Sequence, residues 1–281
     1  MRATQLTDPL CYHAEGPVWS ASWGGLRWVD LLAGDVMSLG ADGQVHRTHV
    51  GDVVAALRPR VDGGAVLALE RGVALEDPDG TVRPLVGLWD DPGVRANEGA
   101  CDPQGRFYLG SMAYDQTEGA ARVYRVDADA SAEVVIDAVT VSNGMDWSPD
   151  GSLVYYNDTP TGKVDVFDYE PGAGLTNRRT FTEIPDGGRP DGLTVDAEGG
   201  VWTAVIDQAV VQRYTPEGRL DAVIEVPVQQ VTACTFGGDG LDRLFITTSQ
   251  ENLEPGEDPL AGALFVADVG VRGQQVRAFA G

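Results

Sequence analysis

Short apolar runs alternate with polar turns along the whole chain. Six times a turn rich in Asp, Ser, Pro and Gly leads directly into an apolar or aromatic run, as at residues 107–109 and 153–156. Short runs of this composition are typical of β-strands. No segment shows a helical spacing of apolar residues that is not broken by Gly or Pro. The pattern therefore predicts an all-β protein.

The turns recur with a period close to 40 residues. The last glycines of the turns are separated by 39, 41, 46, 48 and 41 residues. Each interval has room for four short strands, which is the size of one propeller blade. We therefore predict a single six-bladed β-propeller domain over residues 1–281, rather than a β-sandwich with regular turns. The glycines that mark the repeat are Gly25, Gly64, Gly105, Gly151, Gly199 and Gly240.

The two chain ends are expected to meet in one blade. A propeller protects its strand edges by radial closure, which usually requires the first and last segments to share a sheet. The apolar segment of residues 263–267 and the segment of residues 3–6 are suited to this pairing. Residues 171–179, which are rich in Gly and Arg, are predicted to form a surface connection within the longest interval between turn glycines.

A polar position recurs at an equivalent point of the repeat. It lies eight residues before the turn glycine, and ten residues before it in the first repeat, where we attribute the offset to a longer turn at residues 20–24. Equivalent positions stand at equivalent heights around a propeller axis, and we expect these just before the strand nearest the channel. The position is occupied, in chain order, by Glu15, Ala56, Asn97, Asn143, Asp191 and Thr232.

The chemistry of this ring indicates a cation. Converging carboxylates repel one another unless a positive charge lies between them. Oxygen ligands from Glu, Asn and Asp are compatible with Ca²⁺, Mg²⁺, Mn²⁺, Fe²⁺ or Zn²⁺. The alternative is that Asn143 and Asp191 merely form turns beside the glycines that follow them. Because four of the six ring positions carry an acid or an amide, we favour a metal site.

The overall charge excludes several classes of partner. The chain has 43 acidic and 20 basic residues, a net charge of −23. Such a surface repels phosphate backbones and anionic membranes, so we expect neither nucleic-acid nor membrane binding. No apolar run is long enough to span a bilayer and the first residues lack an apolar signal core, which predicts a cytoplasmic protein. The three cysteines form no C-x-x-C pair and are expected to be buried, inert thiols; we expect a monomer or a weak homo-oligomer.

Four segments, in order along the chain, resemble the gluconolactonase, regucalcin and luciferin-regenerating enzyme family, also called the senescence marker protein family. They are HAEGPVW at residues 13–19, RANEG followed by DPQGR and GSM at residues 95–112, SNGMDWSPD at residues 142–150, and PDGLTVD at residues 190–196. Glu98 stands where the family more often has Asp.

The resemblance implies a ligand set and a substrate site. It implies Glu15, Asn143 and Asp191 as ligands of one divalent metal ion, with Arg95 and Asn97 as substrate contacts. Family members often add a sugar-binding Glu after the G-x-M segment, here GSM at residues 110–112, and Glu118 is the nearest candidate. We expect His13 to be a loop or supporting residue rather than a ligand.

The implied activity is hydrolysis of small sugar lactones by a metal-activated water, with Asp191 as the general base. Arg95 would bind the lactone carbonyl or the developing oxyanion. The loops of residues 114–119 and 157–161 would read the sugar. Three alternatives stay open: a phosphotriesterase resembling diisopropyl fluorophosphatase, a non-catalytic calcium-binding or metal-binding protein resembling regucalcin, and a pure interaction propeller, although the WD-type sequence pattern is absent.

Overall fold

The protein folds as a six-bladed β-propeller. The computed structural model describes all residues from Met1 to Gly281, and it contains six four-stranded antiparallel sheets. The strands are β1 (Thr4–Gln5), β2 (Ala14–Ser20), β3 (Gly25–Asp30), β4 (Asp35–Leu39), β5 (Val45–His49), β6 (Val54–Pro59), β7 (Ala65–Leu69), β8 (Gly72–Glu76), β9 (Val82–Gly87), β10 (Val94–Cys101), β11 (Phe107–Ala113), β12 (Ala121–Val126), β13 (Ala132–Val139), β14 (Ser142–Trp147), β15 (Leu153–Asp158), β16 (Lys163–Glu170), β17 (Gly174–Glu183), β18 (Arg189–Val195), β19 (Val201–Ile206), β20 (Val210–Tyr214), β21 (Leu220–Glu225), β22 (Val231–Gly237), β23 (Arg243–Thr248) and β24 (Phe265–Asp268).

Helical structure is limited to four single turns of 3-10 helix, at Ala21–Trp23, Leu31–Ala33, Thr159–Thr161 and Pro185–Gly187. None of the helices has the length and apolar character needed to cross a membrane.

Blades 1 to 5 follow one another along the chain, each formed by four consecutive strands that begin with β2, β6, β10, β14 and β18. Blade 6 combines β22, β23 and β24 with the N-terminal strand β1, in which Thr4 pairs with Val266 and Gln5 with Phe265. The predicted closure by the two chain ends is confirmed. It leaves no open edge between the first and last blades.

The first strand of each blade is the innermost one, because β2, β6, β10, β14, β18 and β22 contact one another in a closed ring. The expectation that the polar ring precedes the strand nearest the channel was therefore wrong. The polar ring lies within the innermost strands themselves.

The hydrophobic core lies between neighbouring blades. Three fully buried tryptophans, Trp28, Trp147 and Trp202, anchor different blade interfaces. Trp147 makes edge-to-face contacts with Tyr108 at 5.2 Å and Tyr169 at 5.8 Å between ring centroids. Such pairs add to the stabilisation from burial of the large rings. The three cysteines are buried free thiols, as predicted.

The C-terminal segment of residues 274–281 crosses one end of the channel. Gln274 Nε2 donates to the carbonyls of Trp147 at 3.0 Å and Val195 at 3.1 Å. Farther along, the Phe279 amide donates to Pro59 O at 2.8 Å. All three carbonyls lie at the C-terminal ends of inner strands, so the segment spans the channel on the side away from the polar ring.

Candidate active site

Every inner strand is irregular at the level of the polar ring. The pairing register jumps between Glu15 and Val18 in β2, and between Ser142 and Met145 in β14. The other four inner strands shift at the same level, next to Ala55, Asn97, Asp191 and Thr232. A β-bulge re-aims side chains and interrupts the ladder, which is why bulges are common beside active sites. The repeat therefore places a ring of bulges around one end of the channel.

Glu15 and Asn143 are equivalent residues of blades 1 and 4. Asp30 accepts hydrogen bonds from the amides that precede β2, including His13 N at 2.9 Å. Asp158 does the same before β14, accepting from Val141 N at 2.9 Å. In both blades the candidate residue follows directly after the residue that pairs with this aspartate.

The two-residue offset in the first repeat does not come from a longer turn. Ser20 pairs with Gly25 across four intervening residues, and in blade 4 the Ser148 amide donates to Leu153 O across a turn of the same length. The glycine simply stands later in the first turn. The explanation offered from the sequence was wrong, whereas the equivalence of Glu15 with the other ring positions holds.

Glu15 and Asp191 form a pair of buried carboxylates. Glu15 Oε2 accepts from the amide of Gly16 at 2.8 Å, and Asp191 Oδ1 is buried with no hydrogen-bond partner. Burial raises the pKa of Glu15 well above its usual value, and the charges of Asp191 and Glu98 raise it further. Burial likewise raises the pKa of Asp191, opposed by the amide of Asn143. Two such groups are costly to ionise together without a cation.

Asn143 belongs to the same site, because a hydrogen bond from its side chain lowers the pKa of Asp191. Its Nδ2 donates to Thr159 Oγ1 at 3.1 Å, and its Oδ1 makes no hydrogen bond within the chain. Asn157, on the neighbouring strand β15, donates from Nδ2 to the Asp191 carbonyl at 2.6 Å and so holds the backbone of β18. The Asn157 amide thus fixes the backbone of β18, whereas the Asn143 amide has a side-chain oxygen without a partner in the chain.

The glycines after the ring residues allow the inner strands to approach. A Cβ on Gly144 would lie 2.3 Å from Leu193 N and 2.8 Å from Asp191 O. A Cβ on Gly192 would lie 2.4 Å from the Cβ of Ala233. Contacts this short are incompatible with a side chain, so glycine is required for the ring to be this narrow.

Arg95 is buried on the opposite side of the ring from the closing blade. Its Nη1 donates to Asn97 Oδ1 at 2.7 Å and to Ala96 O at 2.9 Å, whereas Nε and Nη2 have no partner within the chain. Its guanidinium carbon lies 5.8 Å from the ring centroid of Tyr114, in the loop predicted to read the sugar. The free donors are available to a ligand in the channel.

Both polar atoms of the Asn97 side chain, unlike those of Arg95, are already hydrogen-bonded within the chain. Its Oδ1 accepts from Arg95, and its Nδ2 donates to Ser142 O at 2.9 Å. It orients the guanidinium and ties blade 3 to blade 4. Glu118, the other predicted substrate contact, is exposed in the loop after β11 and makes no hydrogen bond. The structure does not bring Glu118 into contact with the buried ring.

Two further residues border the site that the sequence did not indicate. Ser249 Oγ lies 2.7 Å from Nδ1 of the buried His13, and Glu251 Oε2 lies 3.4 Å from the same nitrogen. Burial, with the nearby charge of Arg95, lowers the pKa of His13 to about 3, so the ring is neutral at physiological pH. Both residues lie in the stretch of residues 249–264 between β23 and β24. The length of that stretch is the one signal in the sequence that could have drawn attention to them.

The donor set fits one divalent cation. Asp191 Oδ1, the Glu15 carboxylate and the free oxygen of Asn143 are hard oxygen ligands, and the buried Asp191 Oδ1 has no partner within the chain, which a cation would supply. No group of three or more His, Cys, Asp or Glu side chains that could hold a metal occurs in the chain. A cation at this ring therefore depends on the Asn143 amide and on non-protein ligands as well.

Sequence comparison identifies relatives over nearly the full length. Residues 13–250 match the family model described as the SMP-30/Gluconolactonase/LRE-like region. A 6-deoxy-6-sulfogluconolactonase of Pseudomonas putida is 34% identical over 277 residues, which cover 95% of this chain and 94% of that protein. A pentonolactonase of Haloferax volcanii is 32% identical over 284 residues, which cover 98% of this chain and 97% of that protein.

A solved structure shares the complete fold. The crystal structure of a calcium-binding protein, regucalcin, from Agrobacterium tumefaciens superposes with a TM-score of 0.93 at 26% identity, covering 99% of this chain and 97% of that chain. The similarity extends through all six blades, including the closing one.

Proposed function

Because the chain belongs to the SMP-30/gluconolactonase/LRE-like family, we propose that it hydrolyses small sugar lactones with the aid of one divalent cation. Relatives named as lactonases of sugar acids support lactone hydrolysis. The cation and the residue roles are inferred from the family resemblance together with the contacts of this chain. The observation that carries the proposal is a buried carboxylate pair with an unpartnered Asp191 Oδ1.

Glu15, Asn143 and Asp191 would hold the cation. When bound, the cation would supply Lewis-acid polarisation of the lactone carbonyl. The Asn143 amide adds an oxygen ligand without adding negative charge, and Thr159 fixes its orientation through Nδ2. Oxygen ligands alone do not select among Ca²⁺, Mg²⁺, Mn²⁺, Fe²⁺ and Zn²⁺.

Asp191 is assigned the proton transfers. Its carboxylate takes a proton from the water that attacks the carbonyl carbon, and it returns a proton to the ring oxygen when the acyl C–O bond breaks. The Asn157 hydrogen bond to the Asp191 carbonyl, at 2.6 Å, holds the backbone at this point. A fixed carboxylate lowers the entropic cost of reaching the reactive geometry.

Arg95 is assigned the oxyanion. Its two free donors, Nε and Nη2, can bind the oxygen on which negative charge develops. Asn97 and the Ala96 carbonyl hold Nη1, so the planar guanidinium has one orientation. Asn97 would thus act by positioning Arg95 rather than by the direct sugar contact that the resemblance implies.

The test is metal removal followed by add-back. The protein is stripped with a chelator, single divalent ions are returned, and their binding is measured by calorimetry. Acid release is then followed on a panel of five-carbon and six-carbon aldonolactones and on an organophosphate triester, with spontaneous hydrolysis subtracted. We expect acceleration that depends on one or a few ions. Cation binding without turnover of any lactone would favour a metal-binding protein, and turnover of organophosphates alone would favour the phosphotriesterase alternative.

A further inference from the structure

Glu251, at the mouth of the site, is a carboxylate whose hydrogen-bond acceptors are unused. It makes no side-chain hydrogen bond within the chain, and its one contact within ion-pair distance is with His13 Nδ1 at 3.4 Å. Its side chain is 31% exposed. An ionised carboxylate accepts several hydrogen bonds, so Glu251 has unused capacity directed at the space above the ring.

The backbone around Glu251 is held in place. The Glu251 amide donates to Ser249 Oγ at 2.9 Å, and Gln230 Nε2 donates to its carbonyl at 2.8 Å. The neighbouring Gln250 amide donates to Tyr12 O at 2.8 Å, on blade 1. These bonds make this part of a long connection a fixed element that bridges blades 6 and 1.

Glu251 faces Arg95 across the channel. Blades 3 and 6 are three steps apart in a ring of six, which places them on opposite sides of the axis. Burial lowers the pKa of Arg95, and Glu251 is the strongest of the negative charges that oppose this effect, ahead of Glu15 and Asp191. A ligand over the ring therefore lies between a set of donors and a set of acceptors.

The other cations at this mouth are already paired. Arg71 lies 2.9 Å from Glu70, and Arg189 is bonded to Asp207. Each of these two arginines has its charge balanced by an adjacent carboxylate, whereas Arg95 has no carboxylate within ion-pair distance and is assigned to the lactone carbonyl. A ligand with a second anionic group would meet Glu251 without a compensating cation, which is unfavourable.

We propose that Glu251 is a specificity-determining residue that accepts hydrogen bonds from the hydroxyls of an uncharged lactone and disfavours lactones with an anionic tail. This inference rests on the proposed lactone hydrolysis. The acceptor-only carboxylate complements hydroxyl donors, as the guanidinium complements the carbonyl. Glu251 would thus occupy the sugar-binding role that the sequence assigned to Glu118.

The experiment compares two substrates in three proteins. The kcat/KM of wild type, Glu251→Gln and Glu254→Gln is measured on gluconolactone and on the same lactone with a sulfonate at C6. Glu254 is a matched control, because it is an exposed glutamate of the same loop without a side-chain hydrogen bond. Thermal unfolding of each variant reports whether the fold is preserved.

We expect Glu251→Gln to lower kcat/KM on gluconolactone by about tenfold, which is the effect of weakening one hydrogen bond to a charged acceptor. The kcat/KM of this variant on the sulfonated lactone should stay unchanged or rise, so that the ratio of the two kcat/KM values shifts by tenfold or more. Glu254→Gln should have wild-type kcat/KM on both lactones. Equal changes on both substrates would overturn the inference and leave lactone hydrolysis intact. Absence of turnover by wild type on every lactone would instead contradict the proposed function, and the inference with it.

Discussion

At the scale of single residues, Asp191 is assigned two roles, cation ligand and general base. Replacing Asp191 with Ala should lower kcat by about 10²-fold to 10⁴-fold, the usual contribution of a general base, and should weaken cation binding because a ligand is lost. Steady-state kinetics and calorimetric titration of the cation measure the two effects. Asp186→Asn, an exposed change in the preceding turn, is the control. Near-normal turnover by Asp191→Ala would refute the assignment.

The buried carboxylates also predict how stability depends on pH. Burial raises the pKa of Glu15 and of Asp191 above the unfolded values, so the folded chain binds protons more tightly than the unfolded chain. In metal-free protein the contribution of these two groups to stability should therefore be fully present below the ordinary carboxyl range, and should be lost as pH rises through the raised values. A bound cation should remove this loss.

Thermal unfolding of chelated protein across the pH range, with and without added cation, checks the expectation. Glu15→Gln should flatten the pH dependence of the metal-free protein, because one of the two titrating groups is gone. A chelated protein whose stability rises steadily over the same range would show that the pair carries no unfavourable charge.

What the sequence could predict at this scale depended on repetition. Glu15, Asn143 and Asp191 were recognisable because acid or amide residues recur at one equivalent position of the repeat, and the bulges confirm that the positions are equivalent. Glu251 has no counterpart in other blades, so no comparison between repeats could reveal it. Its proximity to His13 and Arg95 depends on how a long connection folds back over the mouth.

At the scale of strands, the spacing of β14 and β18 depends on glycine. A Cβ on Gly144 would meet backbone atoms of Leu193 and Asp191 at 2.3 and 2.8 Å. Gly144→Ala should therefore push the two strands apart, destabilise the fold by about 1–3 kcal/mol and lower activity more than stability alone explains, because Asn143 and Asp191 separate.

Gly87→Ala is the matched control, since Gly87 is in a strand and a Cβ there would meet nothing within 4 Å. Thermal unfolding and kcat/KM are compared for the two variants. Wild-type activity in Gly144→Ala would mean that the spacing of the inner strands does not set the geometry of the site.

The periodic glycines predicted the blades, but they did not predict every strand. Residues 171–179 were expected to be a surface connection, yet β17 begins at Gly174 and continues to Glu183. This outermost strand is largely exposed and rich in Arg and Thr, so it lacks the apolar alternation that indicates a half-buried strand. Its formation depends on pairing with β16, which a local pattern cannot show.

At the scale of the whole molecule, the prediction of closure succeeded because β24 is an apolar strand that needs a partner, and the N-terminal segment provides it. The extent of one domain over residues 1–281 stays a prediction. The crossing of residues 274–281 over the far end of the channel was not foreseen. That segment has no periodic pattern, and its contacts are mostly single hydrogen bonds to strand ends.

The far end of the channel should contribute stability without contributing to catalysis. Arg277 Nη1 lies 3.3 Å from Oδ1 of Asp146, whose pKa is raised by burial and lowered by this arginine. Arg277→Ala leaves that carboxylate without its partner and should cost about 1–2 kcal/mol, less than a fully buried pair because both side chains are partly exposed. The expected fall in Tm is about 2–8 °C for a domain of this size.

Arg272→Ala, an exposed change two residues before this segment, should leave Tm unchanged. Both variants should keep wild-type kcat/KM, because the ring to which we assign catalysis lies at the other end of the inner strands. In an Asp146→Asn background the cost of Arg277→Ala should shrink, since no charge is then left unpaired. A loss of activity at unchanged Tm would contradict the expectation that the far end contributes only to stability. It would mean that contacts at that end alter the geometry of the ring.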